Sequence, residues 1–261
     1  MAEQSRRALG DPFLPAERRA AVLRHAGEVR TLGLFDASEA ALRLLFSGDP
    51  ELWQIVGVSL SVTLRAMLMA MPLGIGIGYL LATLEFPGRR PLIVVTQGLL
   101  ASPTVVVGLI LYLLLSRQGV LGPLQLLFTQ TAMVIGQVLI ALPVLIAFSL
   151  AAIQGADPRA RETAVALGAS APRIAWTMLV EVRFALMAAV CNAFGRVVSE
   201  IGCSLMVGGN IAGVTRNIPT AIALETSKGE FAQGIALGIV LLVVALGINS
   251  AFAFFQGESR R

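Results

Sequence analysis

Long apolar runs alternate with short polar breaks along this chain. The apolar stretches cover about 55–84, 91–115, 131–153, 184–207 and 234–255. Each reaches the roughly 20 residues that an α-helix needs to cross a hydrocarbon layer of ~30 Å. The pattern predicts five membrane spans. Residues 1–36 form a polar tail carrying Arg6, Arg7, Arg18, Arg19, Arg24 and Arg30. Within 37–50, Ala40, Leu44 and Leu45 alternate with Glu39 and Arg43 at helical spacing, which predicts an amphipathic helix lying in the membrane interface. Ser47-Gly48-Asp49-Pro50 breaks it. Residues 51–257 then form one membrane domain, followed by a polar tail at 258–261.

Composition supports this reading. The chain has 261 residues, of which 56% are hydrophobic and 14% charged, with a mean hydropathy of +0.79. Soluble domains carry about 25% charged residues. The net charge of +4 does not point to nucleic acid, because the basic residues flank apolar runs instead of forming a block. Arg89-Arg90, the arginines at 159, 161, 173 and 183, and Arg260-Arg261 fall on one side of a five-span protein. The positive-inside rule makes that side cytoplasmic and puts the N-terminal tail opposite. Residues 1–30 contain no apolar core of a signal peptide.

Several chemistries find no support. Cys191 and Cys203 are twelve apart, and the one histidine, His25, lies in the tail. That spacing suits neither a metal site nor a Cys/His nucleophile. No twin-carboxylate or Ser/His constellation lies near the spans, so a membrane enzyme is disfavoured. No GxxxxGK[ST] occurs, so the chain holds no P-loop of its own. Within the first span, Gly74 and Gly78 form a GxxxG face suited to helix packing. Ser102-Pro103 interrupts the second span, and Pro143 lies in the third.

The most informative segment is the polar island at 154–183. Asp157-Pro158 supplies an acidic N-cap and a proline at the first helical position. Helical spacing then puts Ala160, Ala164 and Leu167 on one face. Gly168 suits the left-handed end of a helix, and Ser170 can cap a second helix bearing Pro172. The run Glu162-Thr163-Ala164-Val165-Ala166-Leu167-Gly168 resembles the EAA motif of ABC importer permeases, E-A-A, three residues, then G. Thr163 stands where the motif has its first alanine. The continuation Met178-Leu179-Val180-Glu181 departs from the family's I-x-L-P, with Glu181 in the proline position. The resemblance implies that Glu162, Thr163, Ala164, Gly168 and Ser170 couple the chain to a cytoplasmic ATPase.

Two further stretches extend the resemblance. Arg196 and Glu200 are four apart in the fourth span, so they share a helix face and can pair. Ionisable groups at membrane depth pair or face a water-filled path, so they serve either to hold helices together or to line a gate. Their segment resembles A-R-x-x-G-E-F-G of molybdate and sulfate permeases. The loop 208–230 is too polar to span, and Pro219 opens a short helix within it that ends at Gly229. It is similar to the outer loop of tungstate-type permeases, G-G-N-I-x-G-x-T-R followed by T-A-I-x-L-E-T-S-x-G. Asn210, Thr215, Arg216 and Lys228 could donate to a tetrahedral dianion or dock a partner.

The expectation is therefore an all-α integral membrane protein with the type I ABC importer permease fold, about five spans and a cytoplasmic helix–Gly–helix loop. The resemblance implies a transport subunit, not an enzyme, in the bacterial or archaeal plasma membrane. It forms the pathway for an oxyanion, with tungstate first and molybdate or sulfate as alternatives. Implied partners are two ABC ATPase subunits that use ATP, a second permease copy, and an extracytoplasmic oxyanion-binding protein. The chain itself is expected to bind no cofactor and no metal. A secondary transporter is the rival from another class; it needs intramembrane acids or histidines, and Glu200 is the one acid in the spans.

Overall fold

The computed structural model describes residues 46–257, together with Glu39, Leu42 and Arg43. The polar tail 1–36, residues 37, 38, 40, 41, 44 and 45 of the expected interfacial segment and the tail 258–261 lie outside the described residues. The described elements are helices, and no strand occurs among them.

Three helices are long and apolar enough to cross a bilayer: α1 (Pro50–Thr83), α4 (Gln130–Gln154) and α10 (Phe231–Gly257). Between them lie α2 (Arg89–Leu100), α3 (Thr104–Leu115), α5 (Pro158–Ala166), α6 (Ala171–Glu181), α7 (Arg183–Val198), α8 (Gly202–Gly208) and α9 (Ile218–Lys228). Helix α1 begins ahead of the apolar run because the Asp49 carboxylate accepts from the amides of Glu51 and Leu52 and Pro50 occupies the first turn. Its 34 residues give a rod of about 51 Å at 1.5 Å per residue, well beyond one hydrocarbon layer.

Packing of α1 on α4 depends on two glycines one turn apart. A Cβ on Gly74 would lie 2.5 Å from Leu145 Cβ, and one on Gly78 would lie 2.7 Å from Ser149 Cβ and 3.0 Å from the Ile146 carbonyl oxygen. In lipid, where apolar burial gives no net drive, such close approach is what makes dispersion contacts effective. Both helices run unbroken through their prolines, Pro72 and Pro143.

The second and fourth expected spans are broken. Helices α2 and α3 meet at 104°, with Pro103 extended at the N-cap of α3. At 12 residues each, neither reaches across a bilayer alone. The fourth apolar run is divided into α7 and α8 by residues 199–201. Helix α8 is held against α3 and α4 by close backbone approach. A Cβ on Gly108 would lie 2.7 Å from Cys203 Cα, and one on Gly202 would lie 2.5 Å from Val105 Cγ2. A straight helix continuing α7 would lose this seat, so packing overrides the apolar continuity of the sequence.

Two apolar clusters mark opposite ends of the bundle. Ile153, Val182 and Leu186 gather with Ile75, Tyr79 and Leu179 where α1 and α4 end and α7 begins. Leu52, Ile55 and Val56 gather with Ile218, Ala221, Ala236 and Leu237 where α1 and α10 begin. The turn at Arg89-Arg90 and the 155–182 island thus share one end, and α9 lies at the other. Arg89 closes its turn by donating from Nε to the Leu81 carbonyl at 2.6 Å, satisfying a C-terminal acceptor of α1.

Candidate functional site

The basic end carries a knob of two short helices. Asp157 accepts the Arg159 amide at 2.9 Å and Pro158 follows, so α5 starts where its sequence signals place it. The helix ends at Ala166 with Leu167 as its C-cap, and Gly168 turns the chain with φ +71. The Ala169 amide donates to the Ala164 carbonyl at 3.0 Å, completing the turn. Ser170 takes the extended N-cap conformation of α6, but its hydroxyl makes no capping hydrogen bond. That is a correction to its expected role; Pro172 and the backbone start the helix instead.

No residue of α5 is buried. Glu162, Thr163, Gly168 and Ser170 are exposed, and Ala164 is half-buried. Leu167 is the C-cap of α5 and is 81% exposed, with Trp176 at 69% and Val165 at 50%. These three apolar side chains were not among the sequence candidates. Their signal was the presence of large apolar residues in an otherwise polar island. A knob with such a surface has the composition of a docking face.

Met178, Val182 and Leu186 fix the knob to the bundle. Helices α6 and α7 meet at 70°, although Glu181 replaces the proline of the motif. The bend is made by backbone: the Val182 amide still donates to Met178 at 3.1 Å, and the Arg183 guanidinium returns to the Val180 carbonyl at 3.0 Å.

Arg196 and Glu200 do not pair. Helix α7 ends at Val198, so their four-residue spacing no longer places them on one helical face. Glu200 is 6% exposed, and its carboxylate accepts the Cys203 amide at 2.9 Å, capping α8. Arg196 is half-buried and forms no ion pair among the described residues. The expected neutralised pair is replaced by a carboxylate cap at a helix break.

At the other end, the loop after α8 folds tightly. Asn210 has φ +51, and its side-chain oxygen is buried with no partner among the described residues. Thr215 is fully buried; its hydroxyl donates to the Gly208 carbonyl and accepts the Ile211 amide at 3.0 Å. Thr215 therefore shapes the loop and is not available to a solute. Arg216 reaches Glu51 at the start of α1, 3.2 Å away. Helix α9 has Pro219 in its first turn and ends at Gly229, as its sequence predicts, and it opens with a capping box between Asn217 and Thr220. Lys228 pairs with buried Glu225 at 2.9 Å, apart from the Arg216 pair. Glu51, Gln54 and Glu225 were missed as site residues; Glu51 and Gln54 carry no local signal.

No protein-family model matches the chain. It is 40% identical over 210 residues to a probable anion ABC transporter permease protein of Haloferax volcanii, covering 78% of this chain and 90% of that protein. It is also 40% identical to the tungstate uptake system permease protein TupB of Campylobacter jejuni, over 83% of this chain and 90% of that one. Identity to the molybdenum transport system permease protein ModB of Escherichia coli is 30%, over 80% and 96%. Among solved structures, a bacterial alginate ABC transporter in complex with an alginate-bound periplasmic protein matches with a TM-score of 0.66 at 18% identity, over 94% of this chain and 96% of that one. Inward-facing structures of the MetNI methionine ABC transporter match at 0.64 and 16%, over 80% and 97%. The fold is that of type I ABC importer permeases.

Proposed function

This chain belongs to the permease family of ABC transporters, and we propose that it forms the membrane pathway of an ATP-driven importer for tungstate. The observation that carries the coupling half of this reading is the exposed knob, which presents Val165, Leu167 and Trp176 to solvent and turns at a left-handed Gly168. Support for the cargo comes from relatives: tungstate and anion permeases at 40% identity against 30% for a molybdenum permease.

ATP is hydrolysed on a separate ATPase subunit, two copies of which grip the knobs of two permease copies. Closure of the ATPases displaces α5 and α6. The movement enters the bundle through Leu179, Val182 and Leu186, which pack on Ile75 and Tyr79 of α1 and on Ile153 of α4. Helix α1 continues unbroken to Glu51 beside the outer loop, so one rod joins the ATPase end to the entry end. A binding protein delivers the oxyanion there. The protein lies in the plasma membrane with the knob on the cytoplasmic side.

The test is uptake by proteoliposomes containing the permease, its ATPase and its binding protein. Tungstate accumulation should require ATP and be competed by molybdate more weakly than by unlabelled tungstate. Uptake that persists without the ATPase would instead identify an ion-coupled carrier, and equal competition would make the cargo molybdate and tungstate alike.

A further inference from the structure

We propose that the cavity between the start of α1 and the 209–217 loop is a transit site for a tetrahedral oxyanion, in which Arg216 exchanges Glu51 for the anion. The proposal rests on the oxyanion importer reading given above. The cavity is open to the surface, has a volume of about 790 Å³ and is lined by Pro50, Glu51, Gln54, Ile55, Ala212, Gly213 and Arg216. Arg216 is the cation in that lining.

The electrostatics of Arg216 are incomplete. Its side chain is only 14% exposed, yet among the described residues its one anionic contact is Nη1 to Glu51 Oε1 at 3.2 Å, long for a charge-assisted bond. Its Nε is buried and finds no acceptor among those residues. A guanidinium taken from water and given a single long contact is under-compensated. Glu51, by contrast, is 59% exposed, so its carboxylate can swing to water at little cost. The pair is therefore asymmetric: the cation is fixed and in need of charge, and the anion is replaceable.

The surroundings hold the cation in place. The Arg216 amide donates to the Ile211 carbonyl at 2.9 Å, Thr215 pins the loop from within, and Asn217 begins the capping box of α9. Asp49 forms no ion pair with Arg216 among the described residues; its Oδ1 accepts the amides of Glu51 and Leu52. Opposite Arg216, the Gln54 amide is exposed and stands as a second donor. Gly213, with φ +74, lies beside Gln54 and takes a backbone conformation that favours glycine. A guanidinium and an amide facing one space suit an oxyanion with several equivalent acceptors. With one cation in the lining the site is weak, as a site that must also release its solute requires.

The experiment measures tungstate binding to the permease–ATPase complex in nanodiscs without binding protein, by equilibrium dialysis and elemental analysis. Glu51→Gln removes the competing carboxylate and should tighten binding by about threefold or more, the scale of an exposed ion pair. Arg216→Gln should abolish it, and Arg216→Lys should retain part. Because Glu51 is exposed, the tightening arm does not depend on a substitution that threatens the fold. Absence of binding in both the unaltered protein and Glu51→Gln, or binding that Arg216→Gln leaves unchanged, overturns the site. Uptake with all subunits present, measured in parallel, separates the two readings: intact tungstate uptake without binding here removes only this proposal.

Discussion

Leu167 is the sharpest test of the knob as a docking face. Its side chain is 81% exposed, so Leu167→Ala removes nothing that holds this chain together. Surface changes of this kind alter stability by about 0.5 kcal/mol or less. If the side chain is buried when the ATPase docks, the three lost carbons cost about 2 kcal/mol at ~0.8 kcal/mol per buried methylene. That corresponds to roughly a 30-fold weaker association per knob. The assay titrates purified ATPase subunit onto the permease in nanodiscs, with the thermal midpoint of the permease followed alongside. Leu167→Met keeps volume and apolarity and should restore most of the affinity. An Ala variant that binds within twofold of the unaltered protein, at an unchanged midpoint, would refute the burial argument and move the docking face elsewhere.

Two further outcomes test the bundle. Gly78→Leu drives a side chain into Ser149 Cβ and the Ile146 carbonyl, and overpacking of this kind costs about 1–3 kcal/mol or more; the thermal midpoint should fall. Gly76→Leu, whose Cβ meets nothing within 4 Å, is the control, and equal losses in the two would remove the close-packing account. Glu200→Ala deletes the cap on the Cys203 amide, worth about 1 kcal/mol, whereas Glu200→Gln keeps an acceptor there and should hold most of the stability and uptake. Identical behaviour of Gln and Ala would mean that charge, and not the hydrogen bond, is what the break at 199–201 needs.

The outcome for Glu200 also shows how far a one-dimensional reading reaches. Its four-residue spacing from Arg196 is meaningful only on a continuous helix, and whether the helix continues depends on Gly202 seating against Val105, nearly a hundred residues earlier in the chain. Ser170 was legible as an N-cap position, but not that its hydroxyl would go unused. Leu167 was legible as apolar, but not that it would stand 81% exposed at the C-cap of α5.

By itself, the sequence determined the helical class, the number of apolar runs, the basic end and the local chemistry of the knob. Asp157-Pro158, Gly168, Asn217-Ile218-Pro219-Thr220 and Gly229 act through backbone geometry and hydrogen bonds within a few residues, so their effect can be read in order along the chain. Only the tertiary structure decided which spans break, that Arg216 meets Glu51 across 165 positions, and that α1 joins the two ends of the bundle. Those features come from helices competing for close approach in a medium that gives apolar burial no preference. Such competition is settled by shape between distant segments.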